Sequence, residues 1–142
     1  MEEKPRNRIQ EISRKSDGSV LVEMSGFRNL YVWRQGKALA VAVHRLTREG
    51  PFADDTSFRD QVRRSAIRIP SDIAEGDERT DMNETVRFLQ MAKSALARLW
   101  TQLEIAHDIN YISDTIMADM SNRCRKLDRM LGGQIKSRAT VQ

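Results

Sequence analysis

The stretch DMNETVRFLQMAKSALARLWTQLEIA, residues 81–106, decides the fold. Leu89, Ala92, Leu96, Leu99, Leu103 and Ala106 follow one another at alternating steps of three and four residues. That spacing keeps an apolar seam on one side of an α-helix, the pattern of helices that pack lengthwise in bundles. Asp81 and Glu84 stand before the seam as a capping pair, the aspartate accepting from free amides and the glutamate reaching back. The other side carries Arg87, Met91, Arg98 and Ile105, so two apolar residues fall where a surface helix meets water. Trp100 flanks the seam.

Upstream, a helix is predicted from about Leu30 to Arg48, with Val32, Leu39, Val43 and Leu46 on one stripe. Trp33, Ala40 and His44 form a second stripe, and the run Ala38 to Val43 is apolar nearly all round. A helix in a small bundle needs one buried face, so the second predicts a partner chain. Gly50-Pro51 ends this helix, and the next begins near Thr56 with Phe58, Val62, Ile69 and Ile73 in line. Pro70 falls inside it and predicts a kink or break at Arg68-Ile69. Gly76 and the charged run Asp77-Glu78-Arg79 lead to the following turn.

Downstream, Asn110-Tyr111 makes a short connection, Ser113 caps, and a last helix runs to about Lys136. Its core stripe is Ile116, Met120, Cys124, Leu127 and Leu131, with Met117 and Ile135 beside it, and Gly132-Gly133 loosens its last turn. Four helices joined by short links predict an all-α, antiparallel up-and-down four-helix bundle over residues 27–137. Residues 138–142 are expected to be a disordered C-terminus. Residues 1–26 show no helical stripe and read as a flexible tail: Ser19 to Met24 alternates like a strand, but a lone strand has nothing to pair with. Met24-Ser25-Gly26 stands just before the first helix, so Met24 is expected to be the natural start.

A chain of 142 residues fits one domain with a real core. Its longest apolar run is far short of the ~20 residues of a membrane span, and no apolar segment near Met1 reads as a secretory signal. The single Cys124 has no partner for an internal disulfide, which points to a reducing cytoplasm. The net charge of +4 permits a nucleic-acid partner without requiring one. Its distribution is uneven: residues 27–53 hold five basic side chains and one acidic, residues 111–142 six and three, and residues 54–110 eight and eleven. Positive charge thus gathers on the first and last helices.

The arrangements that carry catalysis fail one by one. His44 and His107 lie on different helices without a second ligand at metal spacing. His44 reads as a packed core or interface residue, and His107-Asp108 as a helix-end pair. Cys124, inside the core stripe, reads as a small hydrophobe rather than a nucleophile. Ile73-Ala74-Glu75-Gly76 is too short for a phosphate loop and lacks the lysine. Asp54-Asp55 and Asp77-Glu78 read as solvated loop charge. No residue is assigned a catalytic, cofactor-binding or metal-ligating role. The arginines remain. Arg59–Arg63 and Arg64–Arg68 are like charges one turn apart, which repel unless offset by acids such as Asp60, Asp72 and Glu75, by a neighbouring chain, or by phosphates. Arg63, Arg64 and Arg68, with Arg125, Arg129 and Lys136 on the last helix, are the nucleic-acid candidates. Little aromatic interleaving accompanies them, which disfavours a stacking platform. Trp33, Ala40, His44, Met91, Arg98 and Ile105 are the candidates for an interface between copies.

Phe27-Arg28-Asn29-Leu30-Tyr31-Val32-Trp33 opens a pattern that continues in Gln61 to Ala66 and Ile69-Pro70-Ser71-Asp72-Ile73-Ala74-Glu75-Gly76. Arg87-Phe88-Leu89, Ala92-Lys93, Thr101-Gln102-Leu103 and Tyr111-Ile112-Ser113 complete it. In these segments the chain resembles the four-helix-bundle proteins encoded in intervening sequences of bacterial 23S rRNA genes. Those are related in fold to the accessory variability protein of diversity-generating retroelements. It departs from the family's common pattern at Arg68 (usually serine), Asp72 (asparagine), Arg98 and Trp100 (glutamate) and Thr85 (often aromatic). The resemblance implies an antiparallel four-helix bundle, assembly into a ring of five subunits, no known enzymatic activity and a nucleic-acid-associated role, and no cofactor is expected. The expectation is a cytoplasmic homo-oligomer, presenting Arg and Lys to RNA or DNA and not embedded in a membrane. The competing expectation is a scaffold for a protein partner that binds no nucleic acid.

Overall fold

The structure, a computed structural model, describes residues 11–14, 20–23 and 26–140. A hairpin of β1 (Glu11–Arg14) and β2 (Val20–Glu23) comes first, antiparallel, with Ile12 opposite Val22. This changes the reading of residues 1–26, because the alternating segment before Met24 does find a partner strand. Met24 itself lies outside the described residues. A 3₁₀ turn over Gly26–Asn29 leads into five helices: α1 (Tyr31–Leu46), α2 (Gly50–Asp54), α3 (Thr56–Asp77), α4 (Met82–Asp108) and α5 (Asp114–Thr140).

The helix ends follow from side-chain chemistry. Asp55 caps α3, its Oδ1 accepting from the Phe58 amide at 3.3 Å. Asp81 caps α4, accepting from the Asn83 amide at 2.9 Å. At the other end of α4, Asn110 takes the left-handed conformation (φ 66°). The Tyr111 amide reaches back to Ala106 O and the Asn110 amide to His107 O. These two bonds satisfy carbonyls the helix leaves open and turn the chain within five residues. Ser113 Oγ then accepts from the Ile116 amide to start α5.

α2 was not foreseen. The first helix ends before Gly50-Pro51, at Leu46 with Thr47 as its C-cap, and Gly50 (φ 63°) and Pro51 instead open a new helix, whose first turn suits proline. The five-residue α2 carries Phe52 into full burial, stacked on Phe58 at 5.4 Å between ring centroids. Tyr111 closes this cluster, tilted against both rings, its hydroxyl donating to Asp55 Oδ2 at 2.8 Å.

The predicted break at Pro70 is absent: α3 is one helix of 22 residues with Pro70 inside it. Proline removes one backbone donor, but buried residues on both sides of it, Val62, Ala66 and Ile69 before and Ile73 after, are held in one core. Gly36 on α1 assists. A Cβ there would lie 3.4–3.6 Å from Ile73, Ile69 and the Pro70 backbone, so the glycine lets α1 come close at this point.

Each long helix packs against two others: α1 on α3 and α5, α4 on α3 and α5. α1 and α3 run in opposite directions, since Gly36 meets Ile73 while Thr47 meets Arg63. α4 and α5 do likewise, His107 meeting Asp114 and Lys93 meeting Asp128. The seam read from the sequence of α4 is buried throughout, with Ala95 added to it. On α5 the buried series is Met117, Met120, Cys124, Leu127 and Leu131, while Ile116 is exposed. Steps of four drift about 40° around a helix, so Ile116 falls off the seam that Met117 keeps. α5 also continues past the expected end near Lys136: residues 138–140 are helical, Arg138 Nε donating to Gln134 Oε1. Residues 141 and 142 lie outside the described residues. Among the described residues no helix is long and apolar enough to cross a membrane.

Candidate nucleic-acid interface

The arginines of α3 have divergent fates. Arg63 turns inward to the end of α1, where its Nε donates to Thr47 Oγ1 at 2.7 Å and its Nη2 to the His44 carbonyl at 3.3 Å. Thr47 is fully buried and donates in turn to the Val43 carbonyl. Arg63 is thereby committed to closing a helix C-terminus. Arg59 is held by Asp60 at 3.3 Å and donates to the Ala53 carbonyl. Arg68 pairs with Asp72 at 3.5 Å. These are two of the positions at which the chain departs from the pattern it resembles, and they answer each other. The Asp72 carboxyl is only 5 % exposed. Burial pushes its pKa up, and the Arg68 guanidinium offsets this only in part. Arg64 is exposed and has no acidic partner among the described residues.

Arg64 and Arg68 share a depression of about 280 Å³ with Arg98, and Arg68 and Arg98 border a second, of about 270 Å³, with Arg87 and Met91. The structure therefore brings two α3 candidates together with Arg98, expected at a subunit contact, and with Arg87. The sequence had put Arg87 on the same outer face of α4 as Arg98, but which helix that face adjoins was not legible. Arg125 lies elsewhere, at the seam of α4 and α5, its guanidinium 6.0 Å from the Trp100 ring centroid. Arg129 and Lys136 are exposed farther along α5.

Three further interface candidates line two shallow depressions on α1. Trp33, half-buried and edge-on to Phe27, borders one with Val41 and Arg123. Ala40 and His44 border the other with Val41 and Ile67. His44 is exposed, so the core half of its expected role is corrected, while Trp33 and Ala40 of the same stripe are partly buried against the core. Ile105 is 47 % exposed. Val41, Ile67 and Tyr31 are exposed apolar residues that no predicted stripe included, because the rotation of each helix about its axis is settled only by packing.

The groups considered for chemistry are occupied otherwise. Cys124 is fully buried, and burial, with Asp128 adding to it, pushes its thiol up to about 12. A thiol held neutral in this way is no nucleophile at neutral pH. His107 Nε2 stands 2.6 Å from Asp114 Oδ1, with Asp108 farther off at 3.7 Å. The hydrogen bond to Asp114 raises the His107 pKa above its usual value. No group of three or more His, Cys, Asp or Glu suited to a metal ion occurs among the described residues.

Long helices sharing one core, with polar and charged groups on open outer seams, define a predominantly helical protein. The chain belongs to the 23S rRNA-intervening sequence protein family, which it matches over residues 28–133. It is similar in fold to a crystal structure of a protein of unknown function from the S23 ribosomal protein family of Bacteroides thetaiotaomicron. The TM-score is 0.67, with 19% identity over 74% of this chain and 95% of that one. No curated protein is similar enough in sequence to match.

Proposed function

We propose that the protein is a non-catalytic, cytoplasmic homo-oligomer. Its antiparallel up-and-down four-helix bundles assemble into a ring of five, and its repeated cationic surface binds RNA or DNA. The observation that carries this reading is the outer face of α1 and α3. Val41 and Ile67 are 39% and 56% exposed there, set among Arg34, Lys37 and Arg45, and Tyr31 under Arg34 is 60% exposed. Apolar groups left open beside a completed core favour a second copy as their cover. Repetition around a ring multiplies the modest charge of one chain into a field that attracts phosphates. Arg64, Arg129 and Lys136, exposed and without acidic partners among the described residues, supply that charge.

The second reading, a protein-interaction scaffold, draws on Arg59, Arg63 and Arg68, which are satisfied within the chain. Sedimentation velocity at micromolar protein, with a mobility-shift series from 50 to 300 mM salt, separates the two. The expected result is one species of about five chains whose affinity for RNA falls steeply with salt. A monomer would refute the assembly. An oligomer without affinity at the lowest salt would leave the scaffold.

A further inference from the structure

We propose that the seam between α3 and α4 is a phosphate-binding groove, in which Arg64 and Arg68 of α3 face the same open channel as Arg87 and Arg98 of α4. The proposal rests on the nucleic-acid reading above and names its site. The two depressions adjoin, with Arg68 and Arg98 bordering both. Arg87 and Arg98 lie eleven residues apart, about three turns and ~16 Å along α4, so both sit on one face. Arg64 and Arg68 are one turn, about 6 Å, apart on α3.

Only one carboxylate answers these four cations. Asp72 holds Arg68, while Arg64, Arg87 and Arg98 have no acidic partner among the described residues. Guanidinium groups collected this closely repel unless an anion joins them, and phosphate oxygens fit their paired N–H donors. Gln61 and Gln102 border the first depression as well. No aromatic side chain lines either depression. The groove therefore suits the phosphates of a strand rather than its bases.

The test compares two variants that each remove two charges, Arg64→Gln/Arg98→Gln in the groove and Arg48→Gln/Lys126→Gln, a control at exposed positions away from it. Arg68 is left in place because Asp72 depends on it. The probes are a labelled 20-nucleotide RNA, followed by fluorescence anisotropy across a salt series, and tripolyphosphate, followed by calorimetry. Melting by circular dichroism and light scattering confirm fold and subunit number. The groove variant is expected to weaken RNA binding at least tenfold, as an order of magnitude, and to reduce the slope of log K against log salt by about 1.4 per subunit. The control variant should stay within about twofold. Should the groove variant fail to fold, the single change Arg87→Gln at an exposed position should reduce the slope by about 0.7.

Equal losses in both variants would overturn the proposal by showing that net charge alone matters. RNA binding untouched by the groove variant would overturn it while leaving the nucleic-acid reading standing. Loss of tripolyphosphate binding in the groove variant, with no RNA binding by the native protein, would keep the groove, assign it to free phosphates and end the nucleic-acid reading. Binding of neither probe by the native protein would end both. A changed subunit number in the groove variant would make the seam a contact between copies and overturn the assignment.

Discussion

Three helical glycines offer a direct measure of how closely the helices approach. At Gly76 an added Cβ would stand 2.9 Å from Phe88 Cβ and 3.3 Å from the Thr85 carbonyl oxygen. Both atoms are anchored to the α4 backbone and have no rotamer by which to withdraw. At Gly132 and Gly133, inside α5, nothing lies within 4 Å. Alanine is favoured over glycine in a helix interior by about 1 kcal/mol. Gly132→Ala and Gly133→Ala are therefore each expected to stabilise by ~0.8–1 kcal/mol, together raising Tm by roughly 6 °C. Gly76→Ala gains the same propensity but forces α3 from α4, an overpacking that costs ~1–3 kcal/mol. Its net effect is a loss of up to about 2 kcal/mol. Thr85 Oγ1, which donates to the Gly76 carbonyl at 3.0 Å, should also lose its bond. Urea unfolding at one fixed protein concentration, with the m-value unchanged between variants, gives these differences. A Gly76→Ala variant as stable as Gly132→Ala would refute the close approach.

The commitment of Arg63 to the end of α1 predicts that Arg63→Met costs ~1–3 kcal/mol in urea unfolding, since the buried Thr47 hydroxyl loses its donor; a neutral result would return Arg63 to the pool of surface cations. Asp72 has a folded pKa raised above its unfolded value, so the native state binds the extra proton and the charged carboxyl weighs against folding as pH rises through that range. Asp72→Asn should therefore raise Tm at pH 7, the advantage shrinking as pH falls below the raised folded pKa toward the ordinary carboxylate value of about 3.9; a constant or reversed difference would contradict it. The Cys124 thiol, buried and pushed up to about 12, should resist a disulfide reagent at pH 8 until denaturant opens the core; labelling at the rate of an exposed thiol would show that α5 is not packed as described.

The position of Arg98 illustrates where sequence reading stops. Its place on the outer face of α4, with Arg87 and Met91, follows from helical periodicity. That this face adjoins α3, and so joins Arg64 and Arg68, depends on how α4 is rotated and which neighbour it meets. Arg63 shows the same limit. Its sequence neighbours suggested a cation for phosphates, while the carbonyl end of α1, sixteen residues earlier at Thr47, claims it instead.

By itself the sequence determined the four long helices: the α4 seam, the Asp81 and Ser113 starts, the start near Thr56 and the turn at Asn110-Tyr111 all follow from local backbone chemistry and side-chain period. Tertiary structure decided what contacts across helices control. It kept α3 whole through Pro70, because buried residues on both sides of the proline share one core. It chose Met117 over Ile116 for the interior, paired Arg68 with Asp72 and collected four arginines on one seam. Hydrogen bonds near a helix end span three or four residues and can be read along a chain, whereas rotation about a helix axis is fixed only when the partner surface is present.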